Sequence, residues 1–296
     1  MTAATTINEK PAQRSRGSLW SKAIYKMSRD RFGLAGLAIV MVYFAIALGV
    51  WFGVWGQGWS DVSGPMWAEP SDQYRFGTNV IGQDIFERAI YSTKVAFEVG
   101  LVVAVLSTII GAILGALSGY FSGSWIDELV LWLKGVLDSI PFYLFVAALA
   151  FALQGYAYSM HIAMIATFWT TTGRLVRGEV IKLRGFEFVE AARALGVPEI
   201  KIIFRHIIPN TFHILLVQAT IVFVAAIKSE VILSFLGLGV KDGVSWGLMI
   251  AESTQEVLAG QFNNFIWASV FLFGLVMAFN LFSDALQDAL DPRSVS

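Results

Sequence analysis

The sequence predicts an all-α membrane protein of six transmembrane helices with both termini on the inner side. Three observations predict it. The first is composition: of 296 residues, 56% are hydrophobic and only 15% are charged, with a mean hydropathy of +0.65. A soluble domain carries about a quarter charged residues to cover its surface. The second is a set of long windows without any charge, and the third is the asymmetry of Lys and Arg about those windows.

Each element follows in order. Segment 1–32 is polar and carries Lys10, Arg14, Arg16, Lys22, Lys26, Arg29 and Arg31. No charged residue occurs over 32–60, which places the first span at 33–55. That run is too long for the apolar core of a signal peptide, so it reads as an uncleaved crossing. An outer loop rich in Gly, Trp and Pro follows at 56–95, and Trp51, Trp55 and Trp59 sit where the first span leaves the bilayer. The uncharged window 99–126 gives span two at 96–121. The window 139–173 is too long for one crossing, and Gln154, Gly155 and Tyr156 supply a turn in its middle. It divides into span three at 129–153, with Pro141 as a kink, and span four at 157–176. Spans five and six fall at 211–236 and 264–283, separated by an outer segment with a short amphipathic helix at about 246–258. Residues 96–283 thus form a five-helix core, and 284–296 an inner tail.

Orientation follows from the basic residues. The inner segments hold those of 1–32, then Arg174, Arg177, Lys182, Arg184, Arg193, Lys201 and Arg205 in the loop 174–210, and Arg293. The outer segments hold only Arg75, Arg88, Lys94 and Lys241. An excess this large on one side predicts that side to be cytoplasmic. No basic tail suggests nucleic acid. The chain has no cysteine, which excludes disulfides, thiolate metal sites and cysteine nucleophiles.

The inner loop 174–210 carries the most information. Residues 186–195 are helix formers, and Gly196 suits the left-handed position after a helix. Pro198 fits the first position of a second helix, with Glu199 in its first turn, and Pro209 ends that helix before span five. Glu187 and Glu190 share one side of the first helix, and Phe188, Ala192 and Leu195 share another. Ala191 and Ala192 remove bulk, which would let a partner surface approach the backbone. Read by composition alone, this is a helical hairpin joining two spans.

The order of residues says more. Glu190, Ala191 and Ala192, then, after three intervening residues, Gly196, then Ile207, Ile208 and Pro209, resemble the EAA loop of ATP-binding-cassette importer permeases. Isoleucine replaces the usual leucine before the proline, and Val197 and Pro198 stand where a small polar residue is usual. Other segments resemble the C-type permease subunit of the dipeptide, oligopeptide and nickel importers. They are Gly77, Thr78, Asn79, Gly82, Gln83, Asp84, Arg88, Tyr91 and Gly100; the run Ser234, Phe235, Leu236, Gly237, Leu238, Gly239; Ser245, Trp246, Gly247; and the ending Phe279, Asn280, Leu281, Asp284 and 288–292. The family more often has Asp and Arg where this chain has Asn79 and Gln83.

The resemblance implies a type I ABC-importer permease fold. It implies a heterodimer with a homologous permease, two ATPase subunits carrying ATP and Mg beneath, and an extracytoplasmic solute-binding protein above. In that family the loop docks on the ATPase, which assigns Glu187, Glu190, Ala191, Ala192, Arg193, Gly196 and Pro209 to coupling. The chain has no Gly-x4-Gly-Lys-Ser/Thr stretch, so ATP and Mg belong to the partners and this chain binds no cofactor of its own.

Ionisable residues at membrane depth are candidate functional groups. Lys134 and Asp138, four apart, can neutralise each other, as can Lys94 and Glu98. Lys228 and Glu230 are two apart and point differently, so one of them is expected to face the pore or the partner permease. Asp138 and Pro141 join them as pore candidates. His161, His206 and His213 are scattered without carboxylates at ligand spacing, so no metal site is expected. A stand-alone transporter driven by an ion gradient is the alternative, supported only by Lys228 and Glu230. No catalytic constellation for an intramembrane enzyme is present in the sequence.

Overall fold

A computed structural model describes residues 19–290. Lys10, Arg14, Arg16, Asp291, Pro292 and Arg293 lie outside the described residues. The helices are α1 (Leu19–Met27), α2 (Arg31–Trp51), α3 (Ile85–Tyr120), α4 (Trp125–Asp138), α5 (Phe142–Ala152), α6 (Ser159–Leu183), α7 (Glu187–Ala194), α8 (Glu199–Ile202), a π-helical turn (Ile203–Ile207), α9 (Ile208–Asn210), α10 (Phe212–Phe235), α11 (Trp246–Leu258) and α12 (Asn263–Leu290). Among the described residues the only β pairing is two isolated bridges in the segment between α2 and α3, one of which reaches the α3 cap at Asp84.

Local chemistry explains where the elements start. The Asp30 carboxylate accepts from the Phe32 and Gly33 N–H groups and opens α2. The Asp84 carboxylate accepts from Phe86 and Glu87 and opens α3, eleven residues before the window expected at 96–121. Glu87, Arg88 and Lys94 therefore stand on the helix rather than in a loop. Lys94 lies over the Tyr91 ring, 5.2 Å from its centre, instead of pairing with Glu98. At the other end α6 runs on to Leu183, and Arg174, Arg177 and Lys182 lie on it rather than in a loop. Likewise α12 continues to Leu290, through the first part of the expected tail.

Four described helices, α2, α3, α10 and α12, are long and apolar enough to cross a membrane. A fifth candidate is α4 with α5, bent by 92° at the break around Pro141. The expected kink within 129–153 is thus an elbow between two helices. Proline denies a backbone donor and pushes its predecessor out of the helical region, which is enough to end α4 at Asp138. The helix α6 has the length but not the hydropathy, because threonines and basic residues dilute it.

The most extensive helix contact joins α3 to α6. Gly111, Gly115 and Gly119 recur every four residues down one face of α3, and the α6 backbone lies directly on them. A Cβ on Gly115 would come within 2.4 Å of the Gly173 carbonyl oxygen, and one on Gly119 within 2.7 Å of that of Arg177. Small residues at this spacing let two helices meet backbone to backbone, the packing that holds helices together where lipid offers no hydrophobic drive.

The two ends of α3 are fastened differently. At its first turn, which we call the cap end, Arg88 pairs with Glu252 of α11 and donates to Gln83, and the Trp246 indole donates to the Ala89 carbonyl at 2.9 Å. Glu256 accepts from the Val80 N–H at 2.7 Å, and burial pushes its carboxyl above the ordinary range. Asn79 donates to Gln83 at 2.9 Å, so a neutral pair stands where the resembled family more often has opposite charges. At the far end, Arg177 of α6 makes a two-point pair with buried Asp127 of α4, both contacts 2.8 Å, while Ser118 and the Gly123 N–H also donate to that carboxylate.

Candidate functional site

The segment between α6 and α10 forms a compact helical loop under the far end of the bundle. Glu187 and Glu190 occupy the first turn of α7 and Arg193 its last, the order the helix dipole favours. The helix then closes in a Schellman motif: Val197 N–H bonds to the Ala192 carbonyl at 3.1 Å, and Gly196 N–H to that of Arg193 at 3.0 Å. Gly196 has φ +75, a conformation costly for any residue with a Cβ. Pro198 precedes α8 as its cap residue rather than serving as its first helical residue. Pro209 does not end the helix as expected. It stands in the first turn of α9, and the wide π turn immediately before it absorbs the hydrogen bond that proline cannot donate.

One face of this loop belongs to the bundle. Val189, Ala192, Ile202, Ile203 and Ile207 are buried with Ala116, Tyr120, Val176, Val180 and Leu183. Ala192 is therefore committed inward, and of the two alanines only Ala191 stands on the open face. That face also carries Glu187, Glu190, Phe186, Phe188 and Leu195, the last 83% exposed, with Ile200 and Phe204 beyond the turn. Exposed apolar side chains of this number, edged by acids, mark a surface made to be covered. Arg193, expected on the same surface, is exposed, but its guanidinium reaches back to the bundle: it donates to the Tyr120 hydroxyl at 3.2 Å and sits 5.8 Å from that ring's centre.

The pore candidates separate. Glu230 is buried inside the subunit, where Ser234 donates to it and Gly247 of α11 backs onto it, so it does not face outward. Its position in the last turns of α10, against the α11 start, explains the burial. Lys228 is exposed on α10. Asp138 is exposed and paired with Lys134 at 2.5 Å. It borders, with Pro141, Thr170, Thr171 and Arg174, a cavity of about 460 Å³ in the crook of the α4–α5 elbow. Tyr120, Asp127 and the glycine stripe are not among the residues expected from sequence; the recurrence of Gly every fourth residue is the available signal.

Residues 107–296 match the family described as binding-protein-dependent transport system inner membrane component. The chain is 33% identical over 274 residues to the dipeptide transport system permease protein DppC of Bacillus subtilis, covering 90% of this chain and 84% of that one. The chain belongs to this permease family. It is also 34% identical over 280 residues to the oligopeptide transport system permease protein OppC of Escherichia coli, covering 93% and 92% of the two chains. OppC of Bacillus subtilis is 32% identical over 278 residues, 93% and 90% of the two. As a permease subunit it is a multi-pass component of the inner membrane and a non-catalytic part of a binding-protein-dependent ATP-binding-cassette importer.

Proposed function

We propose that this permease forms half of the translocation pore of an importer of di- or oligopeptides, pairing with a homologous permease. Two ATPase subunits, holding ATP and Mg, bind the open face of α7 and α8. A solute-binding protein delivers substrate at the cap end. The observation that carries this reading is the exposed apolar and acidic face of α7, in a chain without a phosphate-binding loop of its own. Six crossings with both termini inside complete the topology. The bent α4–α5 pair counts as one, and α6 as another that tolerates low hydropathy because α3 covers much of its length. Among the loop residues Glu187, Glu190 and Ala191 contact the ATPase, while Gly196 and Pro209 set the shape of the loop. The peptide substrate is supported by the relatives' names and by their coverage of nearly the whole chain.

The test is reconstitution. Solubilised permease is expected to bring the ATPase subunits with it and to support uptake only with ATP and loaded binding protein. Recovery of the permease alone, with uptake driven by an ion gradient, overturns the reading. Glu190→Lys or Gly196→Val is expected to weaken ATPase recovery at least several-fold while membrane insertion is unchanged. Mass spectrometry of the ligand carried by the cognate binding protein decides the substrate class.

A further inference from the structure

The helix α7 is short, and only Val189 and Ala192 are buried along it. Apolar contacts of this kind are non-directional, so they can slide under load. Among the described residues, one side-chain hydrogen bond joins α7 to the bundle, and it ends on Tyr120, the last residue of α3. Arg184, which caps the end of α6, donates to the Tyr120 carbonyl at 3.2 Å. Arg193, in the last turn of α7, donates to the Tyr120 hydroxyl at 3.2 Å and overlies its ring. One residue, itself only 6% exposed, therefore takes one bond from the end of α6 and another from the last turn of α7. From Tyr120, α3 runs without a break for 36 residues to the cap end, where Arg88 and Ala89 hold α11. At the helical rise this is a rod of about 54 Å.

We infer that Tyr120 and Arg193 are positioning residues that convert displacement of α7 into displacement of α3. Arg193 serves the bond to Tyr120 and not the ATPase surface. The inference rests on the docking of α7 to the ATPase proposed above. A hydrogen bond between a cation and a hydroxyl resists shear in a way the apolar contacts do not, because it weakens steeply as its geometry departs from linear. Pulling or pushing α7 along the membrane surface then moves the α3 terminus with it, and the α3–α6 glycine seam carries α6 along.

The experiment uses the whole reconstituted importer, driven by the cognate binding protein as purified with the ligand it carries. The readouts are ATPase recovery on purification, the ratio of binding-protein-stimulated to basal ATP hydrolysis, and uptake. Tyr120→Phe, which keeps the ring and removes the acceptor, and Arg193→Ala are each expected to retain ATPase recovery. Each is expected to lower the stimulation ratio and uptake roughly three- to tenfold, the range a partly exposed hydrogen bond to a charged group supplies. The double variant is expected to be no worse than Arg193→Ala, and Arg193→Lys to restore part of the ratio. Arg193→Ala losing ATPase recovery while Tyr120→Phe keeps it would place Arg193 on the docking surface and overturn the inference. So would unchanged stimulation in Tyr120→Phe, or a double variant whose loss is the product of the two single losses. Failure of the unsubstituted permease to recover any ATPase refutes the docking reading instead, and is distinguishable from each of these.

Discussion

The helices α3 and α4 are neighbours in sequence and both are apolar, yet they are built in opposite senses. The first buries most of one face against α6 through Gly111, Gly115 and Gly119. The second leaves Leu129, Leu131, Trp132, Leu133 and Val136 exposed and buries a single side chain, the charged Asp127. Hydrophobicity therefore says that both elements belong in or beside a bilayer, while the spacing of small residues says which of them packs within the subunit. An apolar helix exposed nearly all round is reserved for lipid or for another chain.

The most damaging break of this contrast is expected at the seam. Gly115→Leu places a side chain where a Cβ alone meets the Gly173 carbonyl at 2.4 Å and the Val176 Cβ at 3.0 Å. Neither the backbone nor the β-branched neighbour can give way cheaply, and a cost of about 3 kcal/mol or more follows. Loss of the monodisperse peak on size-exclusion chromatography in detergent is the outcome that checks it. Retention of wild-type behaviour would mean that α3 and α6 are not in backbone contact.

A smaller effect is expected where α4 is pinned to the seam. Asp127→Ala leaves the Arg177 guanidinium without its two-point partner and removes the acceptor for Ser118 and Gly123. Removing one member of a fully buried pair costs several kcal/mol, and the Arg177 side chain, about a quarter exposed, can recruit water, so about 2 kcal/mol is the reasonable size. The unfolding midpoint is expected to fall, and to recover in part when Arg177→Met is added, because the stranded charge is then gone.

At the cap end the effect is smaller again and depends on pH. Burial raises the Glu256 carboxyl, and the Glu252 charge raises it further, while the Val80 N–H, Asn264 and Arg88 pull it back. A carboxyl whose folded value is raised adds stability that is complete below its ordinary value, near 4.5, and is lost as pH climbs through the raised value. The unfolding midpoint of the unsubstituted protein is expected to decline over that window by about 2 °C relative to Glu256→Gln, which has no such proton to lose. Parallel profiles for the two proteins would show that Glu256 is solvated and the cap open.

Much of this architecture was legible in sequence, and the exceptions have a physical pattern. Charge-free windows located α2 and the core of α3, the spans expected at 211–236 and 264–283 fall on α10 and α12, and the turn residues between Leu195 and Pro198 located the break between α7 and α8. Boundaries failed where charged residues ride on a helix beyond its apolar part, as Glu87 and Arg88 do on α3 and Arg177 and Lys182 on α6. A window of charges reads as a loop, but these charges are paired across helices or emerge past the apolar zone. Pro141 announced a bend without its size, because the angle depends on what the elbow packs against. On α7 the i, i+4 pattern put Phe188 with Ala192, but only the fold shows that Ala192 looks inward and Arg193 backward. Contacts such as Arg193 with Tyr120, 73 positions apart, have no local signature.

The smallest effect separates the two helices most cleanly. Trp132 is 65% exposed on α4 and is not among the atoms that lie against the glycines of the seam. In the isolated subunit Trp132→Ala is expected to leave stability within about 0.5 kcal/mol, as for an exposed position with no cap, bond or strain to lose. A midpoint that falls as far as that of Asp127→Ala would show α4 packed on its own bundle and erase the contrast with α3. Co-purification of the second permease then sharpens the result. A fall in its recovery at unchanged subunit stability assigns this face of α4 to the partner, and unchanged recovery assigns it to lipid.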